Sequence, residues 1–131
     1  MDDVRRLSEQ LPEVTAGERR GNLTWFVRSR AFAWDRPFTK ADLARFGSDP
    51  VPDGPIVAVL VADLEDKEAL LAGAPRGVFT IPHFDGYRAV LVQVRRVSTR
   101  VLSELLVDAW LAAAPATLAR AYSAAPDAPP R

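Results

Sequence analysis

The hydrophobic positions of this chain follow two spacings, one typical of helices and one typical of strands. Near the N-terminus they recur three and seven residues apart, at Val4, Leu7 and Leu11, which predicts an amphipathic helix that ends before Pro12. Five later stretches are rich in β-branched and aromatic residues or continuously apolar, which predicts strands. They are residues 23–29 and 31–35, paired as a hairpin across Ser29 and Arg30, and residues 56–62, 77–81 and 88–97.

Capping residues mark the further helices. Thr39 and Asp42 have the spacing of a capping box, and Asp63 and Ser98 each precede a longer run with helical periodicity. The predicted helices are residues 39–46, 64–72, 99–113 and, after Pro115, 116–124. The last seven residues, APDAPPR, have the composition of a disordered tail.

The order of these elements predicts the fold class. Hairpins with separate helices favour an α+β domain over repeated βαβ units. The 131 residues show no internal repeat, and 48% of them are hydrophobic, which is enough for one core. We therefore expect one two-layer domain over residues 1–124, with an antiparallel-rich sheet packed by N- and C-terminal helices, and a tail over residues 125–131.

Composition excludes several kinds of site. The absence of cysteine removes disulfides, thiolate metal ligands and cysteine nucleophiles. A single histidine leaves too few ligands for a metal site. The N-terminus MDDVRRLSEQ lacks the basic start and apolar run of a secretory signal, and no apolar run is long enough to span a bilayer. We expect a cytoplasmic protein with no membrane contact, no metal and no cofactor.

Charge is balanced overall but arranged in blocks. The chain has 17 basic and 17 acidic residues. Residues 19–45 contain seven basic and two acidic residues, residues 46–75 one basic and six acidic, and residues 76–100 five basic and one acidic. Such blocks either form a basic and an acidic face or pair with each other across the sheet.

The only histidine, His83, lies in the stretch TIPHFDGY. Asp85-Gly86 is a strong turn pair, so the simplest interpretation is a turn in which Phe84 and Tyr87 pack underneath. A triad of Thr80, His83 and Asp85 would require a strained nucleophile turn that the sequence does not show. The stretch GERRG at 17–21 lacks the spacing of a phosphate loop. We expect no enzymatic activity.

Arginines alternate with aromatic residues between positions 19 and 36. This combination suits phosphate contact and base stacking, although one set of the alternating side chains can equally be core. The residues proposed for contact with nucleic acid are Arg19, Arg20, Arg28, Arg30, Arg95, Arg96 and Trp25.

Three stretches carry a resemblance to a known family. LPEVTAGERRG followed by WFVRSRAFAW resembles the opening of the MmcQ/YjbR family, and FTIPHFDGYRAVLVQV resembles its second hallmark, a His-Tyr-Asp-Gly-Tyr-Pro type turn before a strand. LLVDAWLAAAPATLARAY resembles the closing helices of that family. Phe84 and Arg88 depart from that pattern at its tyrosine and its proline. The resemblance covers about residues 2–123 and implies a "double-wing" α/β fold and DNA binding.

Two functions follow as hypotheses. In the first, the chain is a DNA-binding protein of the MmcQ/YjbR family, a monomer or weak homodimer, whose basic hairpin contacts phosphates while Trp25 or Tyr87 stacks on bases. In the second, it is a non-catalytic adaptor that binds a protein or small ligand through the turn formed by His83, Asp85, Gly86 and Tyr87. Both place His83 and Tyr87 beside the basic hairpin as one exposed site.

Overall fold

The computed structural model describes residues 1–124, so the expectation for residues 125–131 lies outside the described residues. Six strands form one sheet in the order β1-β2-β3-β4-β6-β5, and every neighbouring pair is antiparallel. The strands are β1 (Val14–Arg19), β2 (Asn22–Val27), β3 (Arg30–Asp35), β4 (Ile56–Leu60), β5 (Val78–Phe79) and β6 (Ala89–Gln93).

Five helices complete the domain, together with one turn of 3-10 helix at Pro82–Phe84. They are α1 (Asp2–Glu9), α2 (Lys40–Phe46), α3 (Leu64–Ala72), α4 (Thr99–Ala113) and α5 (Ala116–Ala124). Helix α4 packs on β3 and β4, and α1 packs on α4 and β1. The fold class is therefore α+β with a single antiparallel sheet, as the sequence predicted.

The core follows from the hydrophobic pattern. Every residue of β4 and of β6 is buried, which explains why these strands read as continuous apolar runs. Helix α4 buries Leu102, Leu106 and Trp110 on its inner side. The Trp110 indole Nε1 donates a hydrogen bond of 3.0 Å to the Pro12 carbonyl, which ties α4 to the chain just before β1.

Strand β1 was not predicted. Its central residues Ala16, Gly17 and Glu18 have weak strand propensity, and β1 lies at the edge of the sheet. It exists because it pairs with β2 in continuous register from Val14 opposite Val27 to Arg19 opposite Asn22. Tertiary pairing outweighs local preference here.

Several predicted strands were too long, and one turn was misplaced. The hairpin turn between β2 and β3 is Arg28-Ser29, one residue earlier than predicted. Strand β6 ends at Gln93 because the chain turns there, and the amides of Arg96 and Val97 both donate to the Gln93 carbonyl. Helices α3, α4 and α5 have the predicted bounds, with α3 and α4 starting after their capping residues and α5 starting after Pro115.

Candidate functional site: a basic pocket on the sheet

A pocket of about 540 Å³ lies on one face of the sheet, a volume within the usual range for small-ligand sites. Three strands supply part of its lining, and the turn around His83 supplies the opposite wall. We call it the basic pocket. Its lining from the strands and their ends is Arg19, Arg20, Asn22, Thr24, Trp34 and Arg36. The opposite wall is formed by His83, Phe84 and Tyr87, and no carboxylate of residues 1–124 lines the pocket.

Strand register places the lining residues on one face. Residues opposite each other in antiparallel strands share a face, as do residues two apart in one strand. Arg19 is opposite Asn22, and Thr24 is opposite Trp34. These four side chains therefore form a continuous surface across β1, β2 and β3.

The turn between β1 and β2 positions Arg20 at the rim. Arg20 and Gly21 both have positive φ, 54° and 81°, which is the backbone of a two-residue type I′ hairpin. A positive φ is uncommon for residues other than glycine, and strained residues of this kind cluster at functional sites. The stretch GERRG is thus the end of a hairpin that projects two adjacent arginines.

The opposite wall is held in place by a buried lysine. Lys67 of α3 is 7% exposed, and its Nζ donates to the carbonyls of Phe84 and Tyr87 at 2.6 and 2.7 Å. Burial lowers the pKa of Lys67, while Asp85 acts in the opposite direction. The turn also closes through the Tyr87 amide, which donates to the Phe84 carbonyl at 3.0 Å. Lys67 thereby fixes the segment that carries His83, Phe84 and Tyr87.

Aromatic rings and guanidinium groups alternate around the pocket. The Arg19 guanidinium carbon lies 5.4 Å from the centre of the Trp34 ring. The Arg36 guanidinium carbon lies 5.5 Å from that of Phe84. Tyr87 contacts Trp34 and Phe84, with ring centres 6.3 and 5.7 Å apart. Cation–π contacts of this kind hold a guanidinium plane in a defined orientation.

The arginines of the pocket differ in whether a nearby carboxylate neutralises their positive charge. Arg36 Nη1 lies 3.0 Å from Asp42 Oδ2 and donates to the Pro37 carbonyl at 2.6 Å. Burial acts to raise the pKa of Asp42, but hydrogen bonds from the Thr39 amide and Arg36 outweigh it and hold that pKa below its usual range. Within residues 1–124, Arg19 and Arg20 form no ion pair with a carboxylate within 4 Å. Their charges remain available to an anion.

The structure separates the predicted nucleic-acid residues. Arg28 and Arg30 lie at the far end of β2, roughly 17 Å along the strand from Arg19 and Arg20. Arg28 also makes two hydrogen bonds to the Glu13 carboxylate, at 2.7 and 3.1 Å, which hold the pKa of Glu13 below its usual range. Its charge is therefore largely compensated.

Arg95 and Arg96 lie in another region. They follow β6, which is four strand spacings from β1, or roughly 19 Å across the sheet. The side chain of Arg95 lies close to Gly54, outside the basic pocket. The six predicted arginines therefore do not line one pocket together.

The expected stacking role of Trp25 was wrong. Trp25 is completely buried, so neither face of its ring is accessible to a base. The register explains this, since Trp25 lies opposite Ala33 and faces away from Thr24 and Trp34. Tyr87, the alternative, is 45% exposed and lines the pocket.

The turn hypothesis placed His83 and Tyr87 beside the predicted hairpin of residues 23–35, and the pocket lies at the open end of that hairpin, beside the β1–β2 turn and away from Arg28 and Arg30. His83 and Tyr87 share the pocket with Arg19 and Arg20, whereas Asp85 and Gly86 complete the turn without lining it. Residue patterns did not identify Arg36, Trp34 or Lys67 as parts of this site. One signal was present for Lys67, because it is the only basic residue in the acidic block of residues 46–75.

A second pocket, of about 430 Å³, has the opposite character. It lies between the end of β4 and helices α3 and α4, and the charged residues that line it in the described part of the chain are Asp66 and Asp108. Within residues 1–124, no three histidine or acidic side chains are grouped as metal ligands. In the same part of the chain, no helix has both the length and the apolar character needed to cross a membrane.

Two mycobacterial proteins match the chain over nearly its whole length. They are uncharacterized protein Rv2570 of Mycobacterium tuberculosis (strain H37Rv) and uncharacterized protein Mb2600 of Mycobacterium bovis. Each is 45% identical to this chain over 126 residues, covering 94% of this chain and 95% of the relative. The chain belongs to the family of these proteins. No family profile and no solved structure matches it.

Neither name describes an activity of the family. At 45% identity over the full domain, its members share the fold described above. Function must therefore come from the geometry of the basic pocket, because a fold alone does not determine what a protein does.

Proposed function

We propose that this chain is a binding protein that holds phosphate groups in the basic pocket, and that single-stranded DNA is its macromolecular ligand. One observation carries the proposal: three arginines and a histidine converge on a concave site that no carboxylate of the described part of the chain lines. Arginine forks match phosphate oxygens, and partly enclosed sites strengthen their attraction to anions. DNA is the ligand that the MmcQ/YjbR resemblance implies.

Single strands fit this site better than duplex DNA. Bases of a single strand are free to stack on an aromatic side chain, and Tyr87 offers such a ring beside the arginines. A duplex would require phosphate contacts spread along a broad basic surface. The positions of Arg28, Arg30, Arg95 and Arg96 away from the pocket do not favour such a surface.

The second candidate is a small-ligand adaptor that uses the same pocket. It is favoured by the confined volume of about 540 Å³ and by the wall that the His83 turn forms. The charged side chains of the lining are basic, and the others are aromatic or neutral and polar. An anionic ligand therefore suits the site in either case.

The test is fluorescence anisotropy with labelled single- and double-stranded oligonucleotides across a salt series. Two or three phosphate contacts in the pocket give a slope of log K against log salt of about −1.4 to −2 for single strands, whereas six give about −4. Arg19→Ala with Arg20→Ala should weaken single-strand binding at least tenfold at low salt.

The matched control is Arg28→Ala with Arg30→Ala, which removes the same number of positive charges, two, at the β2–β3 turn. This control should bind single-stranded DNA with an affinity within about twofold of the wild type, because Arg28 is already paired with Glu13. Equal losses in both double variants would contradict the pocket as the binding site. No binding to either form at low salt would contradict DNA as the ligand.

A further inference from the structure

Tyr87 combines exposure with a fixed position. Four large hydrophobic side chains of residues 1–124 are exposed, and Tyr87 is the only aromatic one among them. Its ring is supported by Trp34 and Phe84, and its carbonyl accepts a hydrogen bond from Lys67. An exposed ring held in this way costs little entropy when a planar ligand stacks on it.

The ring and the cations lie within reach of one small ligand. The Arg19 guanidinium carbon is 5.4 Å from the Trp34 ring centre, which is 6.3 Å from the Tyr87 ring centre. The guanidinium and the tyrosine ring therefore cannot be further apart than the sum of these distances. Arg20 stands next to Arg19 at the type I′ turn, so two uncompensated charges face the same end of the pocket.

This charge suits a terminal phosphate better than an internal one. A phosphate monoester carries a charge of about −1.5 to −2 near neutral pH and offers three acceptor oxygens. A diester within a strand carries one charge and has a chain leaving from both sides. A pocket closed on one side by the His83 turn accommodates a group at the end of a molecule more easily.

We infer that the basic pocket binds a single nucleotide unit that ends in a phosphate monoester, with the planar base on Tyr87 and the phosphate on Arg19 and Arg20. The inference rests on the proposed phosphate binding and adds the chemical class of the ligand. Such a unit exists as a free nucleoside monophosphate or at the phosphorylated end of a single strand.

Isothermal titration calorimetry at low salt can test each part of the ligand. The probes are adenosine 5′-monophosphate, ribose 5-phosphate, adenosine and inorganic phosphate. We expect the nucleotide to bind roughly 5- to 150-fold more tightly than ribose 5-phosphate, the range that base stacking on an aromatic side chain provides. Arg20→Ala should weaken the binding of all three phosphate-bearing probes.

Variants of Tyr87 isolate the contribution of the ring. Tyr87→Ala should remove the advantage of the nucleotide over ribose 5-phosphate, whereas Tyr87→Phe should retain it. Because Tyr87 is exposed, both variants should fold, which circular dichroism verifies. Loss of the advantage in Tyr87→Phe would contradict stacking, since that variant keeps the aromatic face.

The outcomes separate this inference from the proposed function. Equal binding of the nucleotide and ribose 5-phosphate would overturn the nucleotide inference while leaving phosphate binding intact. Adenosine binding as tightly as the nucleotide, or no binding of any phosphate-bearing probe, would overturn both. A 5′-phosphorylated oligonucleotide that binds more tightly than the mononucleotide assigns the site to strand ends, and equal affinity assigns it to the free nucleotide.

Discussion

Arg36 and Asp42 form the most buried ion pair found within residues 1–124, with side chains 12% and 1% exposed. Asp42 also accepts the Thr39 amide in a capping box, so one carboxylate serves both α2 and a pocket arginine. Arg36 in turn packs over Phe84 of the opposite wall. The pair links helix formation to the shape of the basic pocket.

Asp42→Asn should lower the free energy of unfolding at pH 7 by about 1–3 kcal/mol, because it removes a charge-assisted hydrogen bond and leaves Arg36 uncompensated. The pKa of Asp42 in the folded state lies below its usual range, so on acidification the unfolded state takes up the proton first. The contribution is complete above the usual aspartate range and is lost as the pH falls through the lowered value. The measurement is urea unfolding at several pH values.

Glu68→Gln, which removes a charge from the exposed surface of α3, is the control and should change stability by less than about 0.5 kcal/mol. The difference between wild type and Asp42→Asn should shrink steadily toward acid pH. A difference that stays constant from pH 7 into that acid range would mean that the ionised carboxylate does not stabilise the fold.

Single residues show what the sequence could and could not predict. The pattern identified Arg19, Arg20, His83 and Tyr87, and the structure brings them into one pocket. The alternation in β2 allowed one of its two sets of side chains to be core, but did not show which set. That choice depends on pairing with β1, whose polar residues gave no strand signal.

At the scale of elements, two turns position the site from opposite sides. The β1–β2 turn projects two arginines, and the His83 turn forms the facing wall. The His83 turn is held by a distant element, because Lys67 of α3 donates hydrogen bonds to carbonyls of this turn that lie 17 and 20 residues later in the sequence. We expect the wall to be the more easily altered part of the pocket.

Lys67→Met should free this wall without unfolding the domain. The carbonyls of Phe84 and Tyr87 each keep one backbone hydrogen bond, from the amides of Tyr87 and Ala89. Loss of the lysine should therefore raise amide exchange at Tyr87 and Ala89 by about tenfold or more, while amides of the β1–β2 turn are unchanged. Native-state hydrogen exchange measures both regions in one sample.

Glu68→Met changes the next residue of the same helix on its exposed side and serves as the matched variant. It should leave exchange in the His83 turn as in the wild type. Equal protection of the turn in Lys67→Met and wild type would show that the lysine does not hold it.

Elements differ in how far the sequence predicts them. Capping residues located α3 and α4, because a cap is a local signal with a defined spacing, and Pro115 located the start of α5. Strand ends were less predictable, since pairing rather than composition decides where a ladder stops. The bond between Lys67 and the His83 turn joins two segments whose contact only the tertiary fold creates.

At the scale of the whole molecule, charge is separated although the net charge is zero. The basic pocket lies over β1, β2 and β3, and exposed acidic residues of α3, Glu65, Asp66 and Glu68, lie elsewhere on the surface. Local fields of this kind guide an anion to one site without general attraction to nucleic acid. We therefore expect anions to bind in the basic pocket rather than across a whole face of the molecule.

Amide chemical-shift mapping tests that claim most directly. A ¹⁵N-labelled sample of the full chain is titrated with adenosine 5′-monophosphate at low salt, and the residues that shift are mapped. We expect saturable shifts at Arg20, Gly21, Asn22 and Tyr87, with residues 28–30 and 95–96 unaffected. Shifts centred on residues 28–30 or 95–96, or no saturable shifts at all, would contradict that claim.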